Sequence, residues 1–337
     1  DSRGAATATL TLSNLLLSAS GNYSVVVRNA WNLSVGTTVN LNVVPVGTPV
    51  LRSGYFDPGD ALSAHVVGQL AFVASRTNGL LAIDCRDPMN PMLVGKTNTL
   101  DLAQDVEVHG RYAYVASWKA GLEIFDVLNP TNLVRVGHCD TPGSAHKVRV
   151  IGNRAFVADR AGASGAGGFA VIDVSDPTRP GLISSAATAG FAEGLDVLGD
   201  KVFVAAAYAG MAVFDAANPL APTQIAQFDT PGDTANVTLA GTRAYVSDYN
   251  RGLQIVDVLN PAAPVKLGEL STSGDAFNIQ IVSNRAYVAT GIGRAQVVDV
   301  DNASAPALIS TSLAGKSVHS LQIIGQHAFL ADRESGL

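Results

Sequence analysis

The chain has 337 residues, 47% of them hydrophobic and only 15% charged, enough to bury a substantial core. Its net charge of −6 and lack of any basic run argue against nucleic acid or an anionic membrane surface as partner, and no apolar stretch is long enough to cross a bilayer as a helix, so no direct membrane insertion is expected. The two cysteines, Cys85 and Cys139, fit neither a disulfide scaffold nor a zinc site and are expected as free buried thiols.

In chain order, Ala8-Thr-Leu-Thr-Leu12 alternates apolar and polar residues, and Ser24-Val-Val-Val27 and Thr38-Val-Asn-Leu-Asn-Val43 read as further strands. Gly21-Asn-Tyr23 leading into the valine-rich strand resembles the tyrosine corner of immunoglobulin-like domains, with Val25 where their second cysteine often stands. Only the last strands of such a sandwich are present. Residues 1–44 are therefore expected to be part of an immunoglobulin-like domain, and the chain a piece of a longer protein. Pro45-Val-Gly-Thr-Pro49 reads as a linker, and residues 50–337 as a second domain.

That second domain has a beat. A turn followed by an aromatic or β-branched strand recurs at Gly68, Gly110, Gly152, Gly199, Gly241, Ser283 and Gly325, spaced by 42 residues except for one interval of 47. One copy contains Asp105–His109, alternating polar and apolar, then Tyr112–Ala116, Leu122–Val127, a break at Leu128-Asn-Pro130 where proline has no N–H for a ladder, and Leu133–Gly137. Four short antiparallel strands repeated at this period predict an all-β fold, a β-propeller. Six full copies occupy residues 60–316. The seventh supplies Leu321–Ile324 and His327–Leu330, and Thr48–Gly54 matches a fourth strand that could complete it, so a seven-bladed propeller of four-stranded blades is expected.

The third strands carry Val171-Ile-Asp-Val174 and Ile255-Val-Asp-Val258, each followed by Asp-Pro or Asn-Pro. These strings resemble the LVIVD repeat family over about residues 50–337. The resemblance implies a propeller of bacterial and archaeal cell-surface proteins, hence an extracellular or cell-surface location, and is nearly silent on chemistry.

A repeat sorts candidate residues into those that recur and those that do not. Asp84, Asp126, Asp173, Asp215, Asp257 and Asp299 recur before turns, where a carboxylate fixes the turn by accepting backbone N–H bonds; they read as turn chemistry, and no metal or cofactor is expected. One inner-strand position is polar in every copy: His65, Glu107, Arg149, Asp196, Thr238, Gln280 and Gln322. These are expected to line the central channel, with Glu107, Arg149 and Asp196 forming an ion-pair chain.

The least repeated positions lie on loops at one face: Arg76, Asp105, Trp118, His146, Arg160, Glu193, Tyr208, Tyr249, Arg251, Phe277, Arg294 and His319. Further loop ends there are Gln104, Lys147, Asn236, Asn278, Ser320 and Arg333, and the one insertion, Ala161–Gly168, falls on the same face. Aromatic rings and arginines on loops held by a rigid scaffold suit recognition. The expected function is non-catalytic binding or adhesion to a protein or glycan through this face. Catalytic residues are not assigned; the rival reading is a hydrolase or lyase pairing His146 with Glu193, or His319 with Asp105, and a third is a structural spacer.

Overall fold

The computed structural model describes the backbone of residues 21–28 and 34–41, and residues 60–337 apart from 89, 161–166, 314 and 326. It divides into a unit of residues 1–48 and a unit of residues 49–337. In the first, Gly21–Arg28 pairs antiparallel with Ser34–Leu41. A single hairpin is not a sandwich, and the other strands expected of an immunoglobulin-like domain lie outside the described residues, as does the linker at 45–49.

The second unit is a propeller. Its described residues form six four-stranded antiparallel sheets and one two-stranded sheet. This corrects the expected seven four-stranded blades. The two-stranded sheet pairs Val318–Ile324 with His327–Asp332, and beyond it the chain makes only an isolated bridge from Asp332 to Gly336. Residues 48–54, expected as its outer strand, lie outside the described residues. The ring nevertheless closes on its inner side. Each innermost strand neighbours the next, and Val318–Ile324 neighbours both Ala276–Val282 and the first inner strand, Ala61–Val67. No helix among the described residues is long and apolar enough to cross a membrane.

The sequence pattern explains the layering. The two middle strands of a blade touch neighbouring blades on both faces, so Tyr112–Ala116 and Leu122–Asp126 are buried almost throughout. The outermost strand, Val134–Cys139, is exposed at Val134, Arg135 and His138 and buried at Gly137 and Cys139, because one side of it meets water. The core lies between blades. Tyr114, Leu122 and Ile124 of one blade pack on Val148, Val157 and Ile172 of the next, and at the seam Val66, Val73 and Ile83 pack on Ala331 with Ile324 and Phe329 against them. Cys85 and Cys139 are free and buried, and burial pushes both thiols above their ordinary pKa.

All six recurring aspartates do turn chemistry: each accepts the N–H two residues on, as in Asp126 Oδ1 to Leu128 N at 3.0 Å and Asp257 Oδ1 to Leu259 N at 2.8 Å. Two glycines show where the backbone itself is constrained. Gly121 has φ +73°, and a Cβ there would sit 2.4 Å from the Cys139 carbonyl oxygen and 2.7 Å from Thr141 N. Gly110 has φ +62° but open space around it. Gly110→Ala should therefore cost about 1 kcal/mol, the left-handed penalty alone, and Gly121→Ala about 2 kcal/mol because backbone must also move. Denaturant midpoints of the two variants check this; equal losses would mean that the close approach at Gly121 relaxes freely.

Candidate functional site

Three register positions of the repeat converge on one end of the channel. The first follows the second strand: Arg76, Trp118, Arg160, Ala207, Tyr249, Gly291 and Arg333. At Arg76, Trp118, Ala207 and Tyr249 the carbonyl oxygen accepts an N–H from the start of the next blade, as in Ala145 N to Trp118 O at 2.8 Å and Ala276 N to Tyr249 O at 2.9 Å. That bridge holds the residue at the rim and turns its side chain inward. Trp118, Ala207 and Tyr249 adopt left-handed backbone, with φ of 42°, 45° and 31°. Such conformations cost about 1 kcal/mol or more each in non-glycine residues.

The residue just before this position clamps the loop between blades. Asp159 accepts from Thr141 Oγ1 at 2.9 Å and Gly143 N at 2.6 Å. Asp248 accepts from Thr230 Oγ1 and Gly232 N, both at 3.0 Å. Asp332 accepts from Lys316, Ser317, Glu334 and Ser335 N–H groups at 2.6–3.0 Å. Burial raises the carboxyl pKa of Asp159 and of Asp248 above the ordinary value, against these hydrogen bonds. Each clamp fixes the residue beside it: Arg160, Tyr249 and Arg333.

The other two positions open the inner strands: Leu62-Ser63, Gln104-Asp105, His146-Lys147, Glu193-Gly194, Ala235-Asn236, Phe277-Asn278 and His319-Ser320. All of these except Gly194, with Arg76, Trp118, Arg160, Tyr249 and Arg333 of the first position, line a cavity of about 410 Å³ at the channel mouth. Nine of the twelve face residues expected from sequence line it: Arg76, Asp105, Trp118, His146, Arg160, Glu193, Tyr249, Phe277 and His319. Tyr208, Arg251 and Arg294 do not. Tyr208 lies one residue past the inward-turned position, is 59% exposed, and packs edge-on against Phe191 at 5.9 Å while its hydroxyl donates to Ala189 O. Arg251 is exposed two residues past Tyr249, and Arg294 begins a third strand. Lining residues that the expectation missed include Leu62, Ser63 and Leu102; subtracting one repeat length from Gln104 and Asp105 would have found the first two. Most of the Ala161–Gly168 insertion lies outside the described residues.

The cavity wall is divided by chemistry. On one arc the Tyr249 ring meets Phe277 edge-on at 5.3 Å, and Phe277 stacks on His319 at 4.2 Å and 22°. Phe277 can lie there because Gly291 has no side chain: a Cβ would sit 2.4 Å from its ring. Across the mouth, Trp118 meets His146 edge-on at 6.1 Å. Burial, with the Glu193 charge adding, pushes the Tyr249 hydroxyl up to about 12, so it remains a donor. Burial, then the charges of Arg333 and His146, push His319 down to about 4, so at neutral pH it is an uncharged ring.

The charges are mostly paired. Arg160 Nε holds Glu193 at 2.8 Å and Lys147 Nζ lies 3.4 Å from Asp105. His146 Nδ1–H donates to the Glu193 carbonyl oxygen at 2.6 Å, and its Nε2 lies 3.7 Å from the Glu193 carboxylate. Arg76 and Arg333, neighbours across the ring seam, share a single carboxylate oxygen of Asp60, at 3.2 and 3.7 Å. His319 and Asp105, the alternative acid–base pair, have separate partners: His319 stacks on Phe277, and Asp105 also accepts Val148 N at 3.0 Å.

Below the mouth the seven inner-strand polar residues stand where the repeat places them, and they join the blades. Arg149 bonds Asp196 at 2.9 Å and Glu107 at 3.2 Å, the expected ion-pair chain. Four of the seven accept an N–H from the next inner strand at the same offset: Glu107 from Val150 at 3.1 Å, Asp196 from Leu239 at 2.9 Å, Gln280 from Ile323, and Gln322 from Val66 at 2.5 Å. The last of these crosses the seam. Thr238 instead donates to Ile279 O at 2.7 Å. Burial lowers the His65 pKa below its ordinary value, and burial pushes Glu107 up to about 7 against the pull of Arg149.

Comparison with known proteins agrees with this architecture. No curated protein matches the chain. Among solved structures, the Kuenenia stuttgartiensis hydrazine synthase is similar at 13% identity and a TM-score of 0.66, over 86% of this chain and 96% of that one. The computationally designed Ika8 protein is similar at 8% identity and 0.62, over 84% and 96%. Saccharomyces cerevisiae Sqt1 is similar at 9% identity and 0.60, over 82% and 81%. At such identities the likeness is one of fold. The LVIVD repeat model matches residues 58–99, 102–141, 142–188, 189–230, 231–272 and 273–313, well over half of the chain. The chain belongs to the LVIVD repeat family.

Proposed function

We propose that this propeller is a non-catalytic recognition module that binds a glycan at the mouth of its channel, as part of an extracellular or cell-surface protein. The observation that carries the reading is the convergence of the non-repeating loop residues on one cavity. Nothing in a propeller scaffold requires Trp118, Tyr249 and Phe277 around one mouth. A cavity of about 410 Å³ is in the range that holds a small ligand. Recessed aromatic rings flanked by amides and carboxylates suit the apolar faces and hydroxyl edges of a sugar better than a flat protein surface. A protein ligand would have to insert a side chain or loop.

A glycan array probed with the full chain should give binding that Trp118→Ala and Tyr249→Ala together weaken at least tenfold, since each ring supplies a buried contact worth about 1 kcal/mol or more. Unchanged binding in the double variant would place the ligand elsewhere. The distance of 3.7 Å between His146 Nε2 and Glu193 supports the rival hydrolase or lyase. Cleavage of a captured glycan, lost in Glu193→Gln, would select that reading over simple recognition.

A further inference from the structure

We infer that the ligand at the mouth is an acidic sugar, a hexuronate residue whose ring lies on the Tyr249–Phe277–His319 wall and whose carboxylate sits between Arg76 and Arg333. This rests on the glycan reading above and adds the charge and the orientation.

The inference comes from an imbalance of charge within the cavity. Two of its four cations have a carboxylate each: Arg160 with Glu193, and Lys147 with Asp105. The other two, Arg76 and Arg333, share one oxygen of Asp60, with the Arg333 contact at 3.7 Å. Arg76 Nε is buried and has no hydrogen-bond partner among the described residues, whereas its Nη1 is bonded to Asp60. Among the side chains lining the mouth, with Asp60 counted, cations therefore outnumber carboxylates four to three in a chain whose net charge is −6. Such an excess of guanidinium donors, set as planar forks, suits one further carboxylate.

The position of that excess orients the ligand. Arg333 directly follows the strand that pairs with that of His319, Arg76, His319 and Arg333 line the same cavity, and both Arg333 and Asp60 act electrostatically on the His319 ring. The aromatic wall thus runs directly into the arginine pair. A pyranose ring set against this wall would bring an equatorial substituent toward Arg333 and Arg76. Arg160, at 5.6 Å over the Phe191 ring and bonded to Glu193, is already engaged and adds no second acidic subsite.

Calorimetry with methyl β-glucuronoside and methyl β-glucoside isolates the charge, since the two differ only in a carboxylate against a hydroxymethyl group. The glucuronoside should bind at least tenfold more tightly, and its affinity should fall as salt rises. Arg333→Gln, which removes a 43% exposed side chain and should leave the fold intact, should abolish most of that preference; Arg76→Gln should do the same. Equal affinity for the two sugars, or a preference for the glucoside, would overturn the acidic assignment and leave glycan recognition standing. Acetate binding as tightly as the glucuronoside would overturn the stacked ring. Binding of neither glycoside would overturn both this inference and the glycan reading.

Discussion

Replacing Arg149 by methionine should lower the stability of the propeller by about 3–4 kcal/mol at pH 8, a larger loss than at either turn glycine. Among the described residues Arg149 is the one cation bonded to both Glu107 and Asp196, whose side chains are 11% and 12% exposed. Those two carboxylates cannot leave: each also accepts a backbone N–H from the next blade. Removing one member of a buried ion cluster leaves the others without compensation, which typically costs about 3–5 kcal/mol, and the water of the channel puts the expected loss at the lower end. At pH 5 the loss should shrink, because Glu107 takes up a proton there. The triple variant Arg149→Met, Glu107→Gln, Asp196→Asn should recover most of the stability, since amides keep the inter-blade bonds without the charge. Denaturant melts at the two pH values check this; a loss below about 0.5 kcal/mol at pH 8 would show that channel water already screens the cluster.

The second large effect is a pH dependence located in one residue. Glu107 has its pKa raised from 4.5 to about 7, chiefly by burial. A carboxyl that holds its proton more tightly folded than unfolded stabilises fully below about pH 4.5. That contribution disappears as the pH rises through about 7, and amounts to about 3 kcal/mol over the window. His319 works in the opposite sense. Its pKa is pushed down to about 4, so its contribution is present above the ordinary 6.5 and is lost as the pH falls toward 4. The two partly cancel in the wild-type curve, and the variant separates them. Stability of Glu107→Gln relative to wild type should rise between pH 4.5 and 7.5, and be flat above. A pH-independent difference would mean that Glu107 stays ionised throughout.

What could be read in the sequence was what repeats. The strand pattern, the six aspartate turns and the channel-lining position all follow from a 42-residue register, and the Glu107–Arg149–Asp196 chain follows from the same position on consecutive blades. The number of complete blades did not follow. It depends on outer strands for the last sheet, and of these the described residues supply only the bridge from Asp332 to Gly336. For the candidate site, sequence located the face but not the aim of each side chain. Tyr208, Arg251 and Arg294 share the composition of their neighbours on the loops yet stand off the bridged position, and a displacement of one residue is enough to turn a ring away from the axis. The clamps at Asp159, Asp248 and Asp332 were hidden for a different reason. Their position is held by serine, alanine or threonine in the other copies, so the repeat does not flag it, and their partners lie 15 or more residues earlier in the loop before the same blade's inner strand.

The bridged position after the second strand makes the mouth a socket with addressable seats. Its backbone is held by a bond from the carbonyl oxygen, which every amino acid possesses. Side chains as unlike as those of Arg76, Trp118, Ala207 and Tyr249 occupy it without changing the bridge. The side chain at each bridged seat can therefore change while the blades remain untouched, and Ala207 is a seat that is small and stands outside the cavity lining.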